Sequence, residues 1–140
     1  MSAYIDTSVL GAYYCPESGS KAADEALRRI KYPTISVLSE VEFYSLISKN
    51  QRLKQLTERQ ARDVLELFGN HVAEGFYRRL PLSTEHYLRA RHLLKLFTVP
   101  LRTLDALHLA VAMTESLPLA TSDRTLAAAA KRHKCKVVLV

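Results

Sequence analysis

Apolar positions along the chain fall into short runs and helical stripes that alternate from end to end. Ala3-Tyr4-Ile5 is a short apolar run closed by Asp6 and predicts a first strand. From Ser20 to Ile30, Ala22, Ala23, Ala26, Leu27 and Ile30 share one side of an amphipathic helix. Pro33-Thr34-Ile35 predicts a second strand, with the proline tolerated at its start. Ser36 or Ser39 then opens a helix that reaches about Asn50. Thr57 to Phe68 is a further helix, with Thr57 and Gln60 at capping-box spacing. Phe76 to Pro81 reads as a short strand or connector, and Thr84 to Phe97 is helical again. Arg102 to Glu115 is the most apolar helix, Leu117 to Ala120 a strand, Asp123 to Arg132 an Ala-rich helix and Lys136 to Val140 a last strand.

Strands that alternate with helices imply an α/β fold with a mainly parallel sheet. The strands lack polar alternation, as expected when helices cover both faces. No repeat, low-complexity tract or linker divides the chain, so residues 1–140 read as one domain. With only 4 Gly and 5 Pro, regular elements and short connections account for most of it.

Charge narrows the partners. The 20 Lys and Arg exceed the 14 Asp and Glu by six, and a basic excess on a small domain favours an anionic partner, most commonly nucleic acid. Short basic runs such as Arg28-Arg29-Ile30-Lys31, Arg78-Arg79 and Lys131-Arg132-His133-Lys134 read individually as solvated surface. Cys15 and Cys135 lie far apart without a C-x-x-C, against a disulfide scaffold or zinc site and in keeping with a reducing cytoplasm. Asp6 falls where a signal peptide would be apolar, and no apolar run approaches the ~18 residues of a membrane span. A cytoplasmic protein without a membrane partner is expected. No dinucleotide fingerprint, P-loop or nucleophile elbow is present. Tyr13, Tyr14, Tyr77 and Tyr87 are scattered and predict no stacking platform, and His71, His86, His92 and His133 lack metal-ligand spacing.

Most acids are interleaved with Lys and Arg, but Asp6, Glu40, Glu42, Asp105 and Asp123 stand in apolar surroundings. Each has a plain structural reading. Asp6 and Asp123 can cap helices, Glu42 lies three residues after Ser39 at capping-box spacing, and Asp105 suits a helix's first turn. Taken together they say more. The segment Leu104 to Met113 is apolar except for Asp105 and His108, so it is a buried helix, where an ionised carboxylate is costly unless paired with a cation or metal. His108 itself reads as a satisfied core histidine. Asp6 and Asp123 follow strands directly, and parallel strands end on one edge, where α/β proteins bind ligands. Oxygen donors without matched nitrogen or sulfur suit Mg²⁺ or Mn²⁺. Glu40 and Glu42, two apart on a helix, face different ways, and periodicity does not separate them.

These stretches resemble the PIN-domain ribonucleases, specifically the VapC-like toxins of type II toxin–antitoxin systems. The resemblance spans the chain through Tyr4-Ile5-Asp6-Thr7-Ser8-Val9-Leu10, Ile35-Ser36-Val37-Leu38-Ser39-Glu40-Val41-Glu42, Arg102-Thr103-Leu104-Asp105-Ala106-Leu107-His108-Leu109-Ala110 and Thr121-Ser122-Asp123-Arg124-Thr125-Leu126, in the family's order. It implies a three-layer α/β/α domain with a short, mainly parallel central sheet. It also implies an Mg²⁺- or Mn²⁺-dependent endoribonuclease, with Asp6, Glu42, Asp105 and Asp123 as catalytic and metal-binding acids. The family motif selects Glu42 over Glu40. Ser8 orients Asp6 or a metal-bound water and Thr121 does the same for Asp123, unless both simply cap or turn. Arg102 and Arg124 contact the scissile phosphate or form surface pairs with neighbouring acids. An RNA substrate, a cognate antitoxin and a homodimer are the partners the resemblance implies.

Two other acidic-pocket classes fit less well. Phosphoaspartate phosphatases need a second Asp where Ser8 stands, and a receiver domain needs paired acids after the first strand and a Lys closing the last, whereas Lys136 precedes it. The remaining alternative is a catalytically inactive PIN-like domain that binds protein or RNA.

Overall fold

The computed structural model describes residues 1–15 and 20–140. Among these residues, five parallel strands form one sheet, β1 (Ser2–Ile5), β2 (Tyr32–Ser36), β3 (Arg78–Leu80), β4 (Leu119–Thr121) and β5 (Val137–Leu139), in the order β3-β2-β1-β4-β5. The chain first builds outward from β1 through β2 to β3, then returns to the other side of β1 with β4 and β5. Strand order therefore reverses at β1, and that reversal opens a crevice at the carboxyl ends of β1 and β4. The register places Tyr4 beside Leu119 and Ile5 beside Ala120, so Asp6 leaves β1 next to the end of β4.

Among the described residues, seven helices cover the sheet: α1 (Thr7–Tyr14), α2 (Ser20–Arg29), α3 (Val37–Arg52), α4 (Glu58–Ala73), α5 (Thr84–Lys95), α6 (Thr103–Thr114) and α7 (Arg124–Arg132). Because successive strand residues point to opposite faces, each strand serves two cores. Ala3 and Ile5 of β1 and Ala120 of β4 pack with Val9, Leu10, Phe43, Ile47 and Phe68 from α1, α3 and α4. Tyr4 and Leu119 pack on the other side with Leu93, Leu109, Val111 and Leu126 from α5, α6 and α7. This is the expected three-layer α/β/α arrangement. Among the described residues, no helix is long and apolar enough to cross a membrane.

The pattern reading missed α1. Thr7-Ser8-Val9-Leu10-Gly11-Ala12-Tyr13-Tyr14 is rich in β-branched, aromatic and glycine residues, all indifferent or poor helix formers. Burial of Val9, Leu10, Ala12 and Tyr14 overrides that weak preference. Gly11 is needed for close approach: a Cβ there would come within 2.8 Å of Leu46 Cδ2 on α3. The start of α3 is also settled. Ser36 is the N-cap, its hydroxyl accepting from the Ser39 N–H while the Ser39 hydroxyl accepts from the Ser36 N–H. Ser39 and Glu42 therefore form no capping box; their spacing of three puts both on one helix face. The Thr57–Gln60 box forms as expected. Lys136 and Val140 lie just outside β5, and α5 ends at Lys95 rather than Phe97.

The tyrosines are not all scattered. Tyr14, Phe43, Phe68 and Tyr77 converge, with ring centroids of Tyr14 and Phe68 5.4 Å apart, Phe43 and Phe68 4.8 Å, and Phe68 and Tyr77 6.0 Å. Tyr14 also bonds the Tyr77 hydroxyl at 2.8 Å and His71 Nδ1 at 2.6 Å, whereas Tyr87 is exposed. Phe68 is central to this cluster. Phe68→Ala should lower unfolding stability by roughly 3–5 kcal/mol, measured by urea denaturation; a loss below ~1 kcal/mol would show the cluster to be peripheral.

Candidate active site

Asp6 stands at the N-cap position of α1 but caps nothing with its side chain. Its Oδ2 instead accepts from the hydroxyls of Ser8 at 2.7 Å and Thr121 at 2.9 Å. Ser8 therefore does orient Asp6. Thr121, expected to serve Asp123, donates to Asp6 and accepts from the Asp123 backbone N–H at 3.0 Å. The Ser122 N–H likewise donates to Ser8 Oγ at 3.1 Å. Those bonds tie the β4–α7 turn to the β1–α1 turn and hold a nearly buried carboxylate in the crevice.

Glu42 and Glu40 part company on α3. Glu40 takes a two-point ion pair with Arg79 of the edge strand β3, at 3.0 and 3.1 Å. Glu42 points inward, its Oε1 accepting from Thr7 Oγ1 at 3.2 Å and from His108 Nε2. Asp123 caps α7 as the plain reading expected, with Oδ1 accepting from the N–H groups of Thr125 (2.8 Å) and Leu126 (3.1 Å). Yet it also lines a cavity of about 910 Å³ together with Glu42, Asp105, Arg102, Leu104 and Thr125. A smaller hollow of about 330 Å³ adjoins it at Glu42 and Leu104 and runs past Thr7 and Ser8 to Lys49.

Asp105, in the first turn of α6, has no hydrogen bond or ion pair among the described residues. Burial raises its pKa, and the charges of Asp6, Asp123 and Glu42 raise it further against the opposing pull of His108. The four sequence-predicted acids thus form one electrostatic cluster. Three are each hydrogen-bonded through a single oxygen, so that Asp6 Oδ1, Glu42 Oε2, Asp123 Oδ2 and both oxygens of Asp105 accept no hydrogen bond among the described residues, although Asp6 Oδ1 lies within ion-pair distance of His108 Nε2. Arg102 holds the N-cap position of α6 and lines the cavity. Arg124 is exposed at the start of α7, and neither arginine makes an ion pair among the described residues.

Sequence reasoning passed over His108 and Tyr4. His108 is a satisfied, fully buried histidine, but its partners are site residues rather than core ones. Nδ1 meets the Tyr4 hydroxyl at 2.7 Å, while Nε2 donates to Glu42 and lies 3.8 Å from Asp6 Oδ1. Burial disfavours its charged form, but the Glu42 hydrogen bond and the charges of Asp6, Glu42 and Asp105 outweigh burial and raise its pKa. Burial likewise raises that of Tyr4. The available signal was spacing, since His108 is three residues after Asp105 and shares its helix face. Nothing local marks Tyr4.

A family model for the PIN domain matches residues 3–132. The chain belongs to the PIN-domain family. Its fold is similar to that of Mycobacterium tuberculosis VapC20, a sarcin–ricin-loop-cleaving toxin, at 17% identity and TM-score 0.71 over 91% of this chain and 95% of that one. FitAcB of Neisseria gonorrhoeae is similar at 19% identity and TM-score 0.71 over 96% and 95%. A chain of Rickettsia felis VapBC2, bound to a promoter DNA fragment, is similar at 15% identity and TM-score 0.68 over 100% and 99%. No curated protein sequence matches the chain significantly.

The donor set of this PIN domain fits a hard divalent cation. It offers carboxylate oxygens only, and Asp105 has no ion-pair partner among the described residues. As the side chains stand, no three His, Cys, Asp or Glu among the described residues converge closely enough to hold a metal ion together. Mg²⁺ does not require one, because it binds through one or two carboxylates and keeps several waters. Without a cation the cluster costs stability. Asp105's pKa is raised on folding, so its favourable contribution is full below the ordinary carboxylate pKa and is lost as pH rises through the folded value. At neutral pH the ionised form is therefore a liability. Asp105→Asn should raise the melting temperature of metal-free protein by a few degrees at pH 7 and less at pH 4, read by calorimetry. A lower melting temperature at pH 7 would show that Asp105 is not in net repulsion.

Proposed function

We propose that this PIN domain is an Mg²⁺- or Mn²⁺-dependent endoribonuclease that acts as the toxin of a toxin–antitoxin pair. The supporting observation is one electrostatic cluster of four acids at the strand-order reversal, with carboxylate oxygens that accept no hydrogen bond among the described residues: one each on Asp6, Glu42 and Asp123 and two on Asp105. Asp6, Asp105 and Asp123 would hold the cation, with Glu42 directly or through water. When bound, the cation activates a water for attack and neutralises charge that develops on the phosphate. Ser8 and Thr121 hold Asp6 still, so that its ligand oxygen is set before metal arrives. Arg102 lines the larger cavity and Lys49 the adjoining hollow, and both would hold backbone phosphates around the one that is cut. The groove's cationic flanks counter the repulsion that four acids would exert on RNA.

RNA is favoured over DNA by the similarity to a sarcin–ricin-loop-cleaving toxin, and an antitoxin partner by the similarity to toxin–antitoxin complexes. A homodimer in the cytoplasm completes the reading.

Purified protein with Mg²⁺ or Mn²⁺ should cut total cellular RNA into discrete fragments, and EDTA should abolish the cutting. Asp105→Asn should lower the rate by at least roughly a hundredfold. A folded protein that binds the metal and cuts no RNA would favour the inactive binding domain. In the Asp105→Asn background, Lys49→Ala and Arg102→Ala should each weaken binding of single-stranded RNA. Each should make the slope of log affinity against log salt shallower by about 0.7, measured by fluorescence anisotropy. Unchanged slopes would remove both residues from the RNA path.

A further inference from the structure

His108 is a fully buried polar side chain of α6 that no surface or capping role explains. The helix from Ala106 to Ala112 is buried throughout, and a leucine at 108 would match its neighbours. Instead a histidine stands there at 1% exposure, held entirely by side chains from other elements. The bonds form a closed circuit. At the start of α3 the capping hydroxyls of Ser36 and Ser39 meet the Tyr4 hydroxyl at 2.8 and 3.3 Å. Tyr4, on β1, meets His108 Nδ1, and His108, on α6, donates from Nε2 back to Glu42 on α3. Tyr4, Ser36 and Ser39 are each wholly buried. The circuit leaves α3 at its N-cap and returns one turn later, so it fixes how α3 is rotated about its axis. That rotation decides which glutamate enters the crevice.

We propose that His108 is a positioning residue for the metal site: its buried Nε2–H holds Glu42 Oε1, leaving Oε2 for the shell of the divalent cation, and Tyr4 holds His108. The inference rests on the metal-binding reading above. It needs no particular charge on His108, because Nε2 donates to Glu42 in the imidazole tautomer with Nδ1 bare and in the imidazolium alike. The Tyr4 hydroxyl donates to Nδ1 in the first case and accepts in the second. A fully satisfied buried polar network of this kind specifies one arrangement and tolerates no half-measures. Partners behind a ligand commonly change metal affinity 10–100-fold when removed.

The inference is tested by Mn²⁺ affinity, measured by calorimetry on folded variants whose melting is checked separately. His108→Leu should weaken Mn²⁺ binding about 10–100-fold. His108→Gln, which keeps an amide N–H near the Nε2 position, should recover most of that loss. Tyr4→Phe should fall between. A merely structural histidine predicts lowered melting temperatures without this order of affinities. A metal-free readout stands beside it: the His108 side-chain N–H proton should appear as a slowly exchanging downfield resonance in wild-type protein and move or vanish in Glu42→Gln. That spectrum needs no folded His108→Leu. Wild-type affinity in His108→Leu, no recovery in His108→Gln, or an unchanged resonance in Glu42→Gln would overturn the positioning role alone. Wild-type protein that binds no Mn²⁺ would overturn the metal reading and the inference with it.

Discussion

Everything at the crevice depends on a carboxylate held where a carboxylate is costly. Asp6 is almost wholly buried at the point where β1 and β4 end side by side, and an ionised group there must be hydrogen-bonded or neutralised. The hydroxyls of Ser8 and Thr121 supply that support on one oxygen. Bonds to a charged acceptor contribute more than neutral ones, about 1.5–3 kcal/mol each. They also join two turns far apart in sequence, which fixes the geometry of the parallel edge as well as the acid. The second oxygen is left without a donor, and the same division recurs at Glu42 and Asp123.

That division explains how one cluster can be both ordered and reactive. A carboxylate free on both oxygens would turn, and one bonded on both would have fewer lone pairs to offer a cation. Asp105 is the exception, unsupported on either side, and it bears the repulsion of the other three. The cost is carried by a fold whose stability lies elsewhere. The aromatic cluster of Tyr14, Phe43, Phe68 and Tyr77 and the apolar faces of α6 and α7 sit behind the crevice and do not depend on its charges. Rigid elements bring in the acids: Glu42 and Asp105 stand on helices, and Asp6 and Asp123 are pinned at helix starts.

The layer order, the parallel sheet and, among the described residues, ten of the twelve elements to within about two residues at each end follow from period and punctuation, because helix and strand periods report burial directly. Of the other two, α1 was missed, and α4 runs on to Ala73 where the pattern ended it at Phe68. The four acids were legible for a related reason: a charge in an apolar stretch violates the pattern. What period cannot report is which partner a buried polar group finds. Glu42 and His108 are 66 residues apart, and Thr121 and Asp6 are 115 apart. Thr121 was therefore assigned to the nearer acid, and His108 to the core.

The chain alone determined which residues carry charge into apolar surroundings and that strands and helices alternate, since both are properties of local order. Three matters were left to tertiary structure. Whether Thr7 to Tyr14 is helix or strand was decided by packing against α3, because its intrinsic preferences nearly cancel. Whether Glu40 or Glu42 enters the crevice was decided by the rotation of α3, which Tyr4 and His108 set from two other elements. And the pairing of Asp6 with Thr121 was decided by the register of β1 beside β4. In each case the deciding contact joins residues that only the folded chain brings within hydrogen-bond or van der Waals reach.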